Sequence, residues 1–364
     1  MTLPRITLLA TLLLATPAAA QLQITPPGTI PSPAPEKQRP KEAAKEAAKE
    51  KPKVAPHAIT KKKETKPSAS PSPTLPATVI PAPATDNSNV DLVFGAYQRG
   101  QYKTAFDLAS ARAKSGDAKA MTMLGELYSN AMGIRRDYAK AVEWYKRASD
   151  AGDREAMFAL AMLRISGRGG PVDKGEAVKL MASAAKLGEP KAAYNLALLY
   201  LDGQTLPQDV KRSAELLRQA ADAGLPEAQY ALATFYKEGT GVPKDPERSV
   251  RLLQAASLAD NVDAEVEYAI AMFNGTGTPK NQPAAVALLR KASRQGSAIA
   301  QNRLAWVLIN GMGTSVDKVE GFKWHLVAKT AGKGDPELDK QLADLPADDR
   351  AKAEAAAKKW LGNK

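Results

Sequence analysis

Carboxylates at a regular interval are the side chains of this chain with the most obvious chemical capacity. Asp137, Asp173, Asp209, Asp245 and Asp317 recur on a 36-residue spacing, with Asn281 filling the one gap. Paired carboxylates perform general acid and base catalysis when their surroundings hold one protonated and the other ionised. Each of these acids, however, falls where a helix is expected to start, and an acid that accepts bonds from free backbone N–H groups has a sufficient structural reason to recur. Glycine-rich turns such as Gly167-Arg-Gly169-Gly170 mimic phosphate cradles, but they recur as helix connectors. The chain has no cysteine and only two histidines, His57 and His325. That excludes thiolate nucleophiles, disulfides, Cys-ligated metals and any histidine-rich metal centre. No GxSxG elbow, Walker-type phosphate loop or HExxH motif is present. The residues therefore imply neither an enzyme nor a cofactor.

The elements that must position these residues follow from the period itself. Six tandem blocks of 36 residues start at Ala118, Arg154, Pro190, Pro226, Val262 and Ala298. Repeats of this length predict an all-α solenoid, a superhelix of antiparallel helix pairs. Position 3 of every block is alanine, from Ala120 to Ala300, and position 31 is alanine from Ala148 to Ala328. Position 8 is always small: Gly125, Ala161, Ala197, Ala233, Ala269 and Ala305. Small side chains at fixed places in two segments let helix backbones approach closely. Apolar residues at helical spacing, such as Leu196, Leu199 and Tyr200, mark the first helix of a block, and Ala285, Leu288, Leu289 and Ala292 mark the second. Glycines at positions 14 and 16, as in Gly239-Thr-Gly241, end the first helix by accepting positive φ. The acid at position 20 caps the second helix, twice opening a capping box with Glu176 after Asp173 and Glu320 after Asp317. A glycine at position 35 closes the second helix in five blocks. Asp260 replaces it in the fourth, which puts that turn's geometry in question.

Outside the blocks the pattern fades. Residues 90–117 read as a degenerate first repeat, with Gly116 in register with Gly152, and 334–364 as two capping helices for the exposed last repeat. Residues 1–20 have the order of charge, apolar run and Ala18-Ala19-Ala20 that marks a secretory signal. Cleavage before Gln21 and a periplasmic destination are expected; the alternative is an uncleaved membrane anchor, which does not need the small-residue ending. Residues 21–89 hold 14 prolines and a net charge of +5 with few long aliphatic side chains and no Phe, Trp or Tyr, a composition that predicts a disordered tether. Within it, Lys41 to Lys51 reads as a short solvated helix. The tether is either a soluble spacer or a polycation resting weakly on anionic envelope polymers through Lys61, Lys62 and Lys63. Export argues against nucleic acid despite the total charge of +12.

The segments Ala228 to Ala256 and Ala192 to Gly203 closely resemble the SEL-one-like repeat, a relative of the tetratricopeptide repeats with a longer glycine-bearing turn. The resemblance covers about two-thirds of the chain. It implies adaptor, scaffold or regulatory roles, in secretory-pathway quality control and in bacterial envelope signalling among others. A subgroup associated with penicillin binding has disulfide-linked repeats, which this cysteine-free chain lacks. In a tetratricopeptide-like stack, first helices would line the concave face with positions 5 and 9 pointing into it. Position 5 reads Thr122, Phe158, Tyr194, Tyr230, Val266 and Asn302; position 9 reads Glu126, Met162, Leu198, Thr234, Ile270 and Trp306. Of these, Phe158, Met162, Tyr194, Leu198, Tyr230, Ile270, Asn302 and Trp306 are the candidate partner-binding residues. The alternative is that they pack between adjacent repeats. The expected function is a non-enzymatic periplasmic scaffold or regulator that binds another envelope protein or peptide. An envelope enzyme acting on peptidoglycan or β-lactams and a polyanion binder using the tether are the alternatives.

Overall fold

A computed structural model describes residues 91–362. The signal, the tether and the short helix expected over Lys41 to Lys51 lie outside the described residues. Sixteen helices follow one another within them: α1 (Leu92–Gln98), α2 (Tyr102–Lys114), α3 (Ala118–Asn130), α4 (Tyr138–Asp150), α5 (Arg154–Ser166), α6 (Lys174–Lys186), α7 (Pro190–Asp202) and α8 (Val210–Asp222), then α9 (Pro226–Glu238), α10 (Pro246–Leu258), α11 (Val262–Asn274), α12 (Gln282–Arg294), α13 (Ala298–Asn310), α14 (Lys318–Thr330), α15 (Pro336–Ala343) and α16 (Ala347–Gly362). Each of the six blocks is one helix pair, from α3 with α4 to α13 with α14, and from α1 to α14 each helix packs on the next. The architecture is an all-α solenoid. No helix among the described residues is long and apolar enough to cross a membrane.

The recurring residues do the work expected of them. The alanines at positions 3 and 31 are buried in all six blocks, as are the small residues at position 8. Position 14 is left-handed in every repeat, including Ala131 at φ 58°, where the others have glycine. The position-16 glycines serve a second purpose. A Cβ on Gly241 would stand 2.7 Å from the Val210 carbonyl oxygen and one on Gly133 would stand 2.6 Å from the Tyr102 Cβ, so the turn seats directly on the preceding second helix. Asp260 keeps the local geometry that was in question, because it adopts φ 57° and occupies the left-handed region without glycine.

Capping at position 20 follows one rule. Each side chain accepts from the backbone N–H three residues on, from Asp137 and Lys140 at 3.0 Å to Asp317 and Glu320 at 2.9 Å. The capping boxes read at Asp173 and Asp317 do not close. In every repeat the capping residue's own N–H donates instead to the position-11 carbonyl of the first helix, as Asp173 does to Arg164 at 3.0 Å and Asp317 to Leu308 at 2.9 Å. The donor that Glu176 and Glu320 would have served is already satisfied. Glu176 pairs with Arg164 at 2.7 Å, and Glu320 accepts from Lys323 and Trp324. The bond also ties the two helices of a repeat together across the turn.

At the ends, α1 and α2 pack in front of α3, with Val93 and Ala96 buried. At the other end α16 lies on α14, where Trp360 meets Trp324 edge-on at 5.0 Å and the Lys323 ammonium sits 4.3 Å from the Trp324 ring.

Candidate functional site

A groove of about 760 Å³ opens between α3, α4 and α5 and reaches the starts of α7 and α9. Its apolar floor includes Phe158 and Met162, at positions 5 and 9 of α5, with Ala159 and Leu163. Helical spacing puts 158 and 162 one turn apart on the same face, while the small residue at position 8, Ala161, is buried in the core. One wall is polar. Glu126 on α3 accepts from the Tyr145 hydroxyl at 3.0 Å and the Asn130 amide at 2.6 Å. Burial, followed by the adjoining Glu126 carboxylate, pushes the Tyr145 hydroxyl pKa up, so it remains a donor. The other wall carries Arg154, whose guanidinium donates to the Leu187 and Gly188 carbonyls at 3.1 and 3.3 Å and lies 3.8 Å from Glu189. Arg168 stands over the Tyr138 ring at 5.5 Å.

Phe158 and Met162 are themselves partly buried against the core, and the other candidate residues lie outside this groove. Tyr194 and Tyr230 are partly buried and pack against the core. Burial raises both hydroxyl pKa values, with Glu227 contributing at Tyr194 and Glu267 at Tyr230. Leu198 and Ile270 are each only 8% exposed, so their side chains are packing surface. Asn302 donates to the Lys333 carbonyl at 3.2 Å, and the Trp306 indole N–H donates to Asp335 at 2.9 Å. Those two hold the carboxyl-terminal cap. The structure therefore brings Phe158 and Met162 together in an open groove and assigns Leu198, Ile270, Asn302 and Trp306 to contacts within the chain.

Sequence reasoning did not select Glu126 with Tyr145, nor Arg154. A signal for the first pair existed in the exchange between positions 8 and 28. Only the first repeat has glycine at position 8, and only it has tyrosine at 28. The recurring acids at position 20 all serve as caps. Among the described residues no group of three or more His, Cys, Asp or Glu is placed to hold a metal ion.

A Sel1 repeat family model matches residues 118–153, 154–189, 190–225, 226–261, 262–297 and 298–333. The chain belongs to the Sel1 repeat family. Its repeat boundaries coincide with the helix pairs described above, each beginning at the first residue of a first helix. Sel1 repeats are in general protein-interaction modules, and the family is typically a non-catalytic scaffold. Among solved structures, the chain is similar to a protective antigen of uropathogenic Escherichia coli with an SLR fold, at 26% identity and a TM-score of 0.63. That match covers 71% of this chain and 56% of the antigen, so the chain spans little more than half of that relative. It is also similar to a Sel1 repeat protein from Oxalobacter formigenes, at 25% identity and a TM-score of 0.59, covering 66% of this chain and 98% of the other. No curated protein matches this chain.

Proposed function

We propose that this protein is an exported, non-enzymatic scaffold or regulator of the bacterial envelope that binds a segment of another envelope protein in the groove across repeats 1 to 3. The observation that supports the reading most is the placement of Phe158 and Met162 on an open apolar floor between polar walls. Binding energy at such surfaces concentrates in a few apolar or aromatic anchors, with polar groups fixing register. The signal-like residues 1–20 support export, and cleavage before Gln21 is the corresponding expectation.

The test begins with partners recovered from envelope extract by the full chain and identified by mass spectrometry. The partner is then titrated against Phe158→Ala with Met162→Ala, and against Leu258→Ala as a control on the exposed side of α10. The groove variant should lose more than about 1 kcal/mol of binding per side chain while its thermal melt stays close to the parent's. Equal binding by both variants would remove the groove from the reading. Hydrolysis of peptidoglycan or a β-lactam that survives repurification would replace the scaffold with an enzyme.

A further inference from the structure

Charge is divided between the two helix rows. The second helices, α2, α4, α6, α8, α10, α12 and α14, carry 20 Lys and Arg against 8 Asp and Glu, a net +12. The first helices α3, α5, α7, α9, α11 and α13 carry 6 against 8, a net −2. The division is sharpest in the fifth repeat, where α11 has three acids and no base and α12 has three bases and no acid. The five aspartates that cap second helices lower that total only to +7. Most of these cations are exposed, and Lys179, Lys186 and Arg294 make no ion pair.

We infer that the second helices α6, α8, α10 and α12, with 11 Lys and Arg against 4 Asp and Glu, are a docking surface for a linear anionic polysaccharide, separate from the groove lined by α3, α4 and α5. Like charges gathered along one wall repel one another, and an anionic polymer laid across them relieves that repulsion and releases its condensed counterions. The occupant follows from the side chains of these four helices. Single-stranded nucleic acid is held by aromatic platforms between the cations, and α6, α8, α10 and α12 contain no aromatic residue. A bilayer surface is held by exposed apolar side chains beside the bases, and across these four helices Leu258 is the one large apolar side chain standing well exposed. Recognition by charge alone suits a chain of carboxylates or sulfates that has no π-face to stack. Because no residue of these four helices lines the groove, a polymer and a protein segment can be held at the same time.

Full-length protein is titrated with polygalacturonate over a series of salt concentrations, with neutral dextran, a single-stranded oligonucleotide and phosphatidylglycerol vesicles in parallel. Two charge-reversed proteins are compared: Lys179→Glu with Lys186→Glu and Arg294→Glu, and Lys61→Glu with Lys62→Glu and Lys63→Glu. Melts by circular dichroism establish that both fold. The inference expects polygalacturonate binding that weakens steeply with salt, falls at least tenfold in the helix variant, and changes by less than threefold in the tether variant. The salt dependence of the helix variant should be shallower by roughly one unit of slope per lost contact. Absence of binding at low salt, loss confined to the tether variant, or tighter binding to the oligonucleotide or the vesicles would each overturn it.

Discussion

The Tyr145 ring covers the place where Gly125 would carry a side chain: a Cβ there would stand 2.6 Å from two carbons of the ring. The equivalent pair in the third repeat is Ala197 with Leu217, and in the fifth Ala269 with Leu289. Size at position 8 is thus exchanged for size at position 28. Gly125→Ala should cost about 1–3 kcal/mol by overpacking. Adding Tyr145→Leu should recover most of that loss, a coupling that urea titrations of the two single variants and the double variant measure directly.

Left-handed backbone at Ala131 predicts a change of the opposite sign. A Cβ in this region is strained by roughly 1 kcal/mol, while glycine loses more entropy on ordering. Because the five equivalent turns already use glycine, Ala131→Gly should be neutral to stabilising by up to about 1 kcal/mol. Gly241→Ala should destabilise by more than Ala131→Gly stabilises, since it combines φ 66° with the approach to Val210. Denaturation midpoints at constant m-value decide both.

Glu265 breaks a pattern held by its neighbours. At the same position Gln229 and Gln301 donate to the Ala221 and Ser293 carbonyls at the end of the preceding second helix, at 3.3 and 3.1 Å. A carboxylate cannot donate, and the fully buried Glu265 instead pairs with Lys291, which also reaches Asp260 at 2.9 Å. Lys291→Met should cost about 1–3 kcal/mol, less than for a fully enclosed pair because the lysine is half exposed. Glu265→Gln in the Lys291→Met background should restore stability by providing the missing donor. If the double variant melts no higher than Lys291→Met alone, the glutamine contact does not substitute for the ion pair.

Acid should loosen the carboxyl-terminal cap. Asp339 on α15 accepts from Lys329 at 2.8 Å and lies 2.8 Å from the buried His325, and these bonds, Lys329 first, hold its carboxyl below the usual carboxylate range. A folded pKa below the unfolded one gives a contribution that is complete above about pH 4 and is lost as pH falls through the folded value. Amide exchange in α15, corrected for intrinsic rates, should accelerate below about pH 4 in the parent protein. Asp339→Asn should exchange faster at neutral pH and show little further change on acidification.

The period of the sequence was enough to determine the repeat architecture. A 36-residue recurrence of small residues and helix caps leaves one way to bury an apolar stripe, by stacking each pair on the next. The caps at Asp137 through Asp317 and the glycine turns were legible for the same reason, since they depend on a few adjacent backbone groups. Which side chains stay open was decided only by tertiary structure. Phe158 and Ile270 belong to one ladder in the sequence, yet one lines a groove and the other is core, because exposure there depends on the residues the neighbouring repeats bring against it. The unclosed capping boxes have a similar cause: the N–H of Asp173 finds the Arg164 carbonyl, a partner that appears only when the two helices fold back on each other. The division of charge between basic second helices and faintly acidic first helices is written in the sequence residue by residue, but which of those cations stand exposed is decided by how the helix pairs pack.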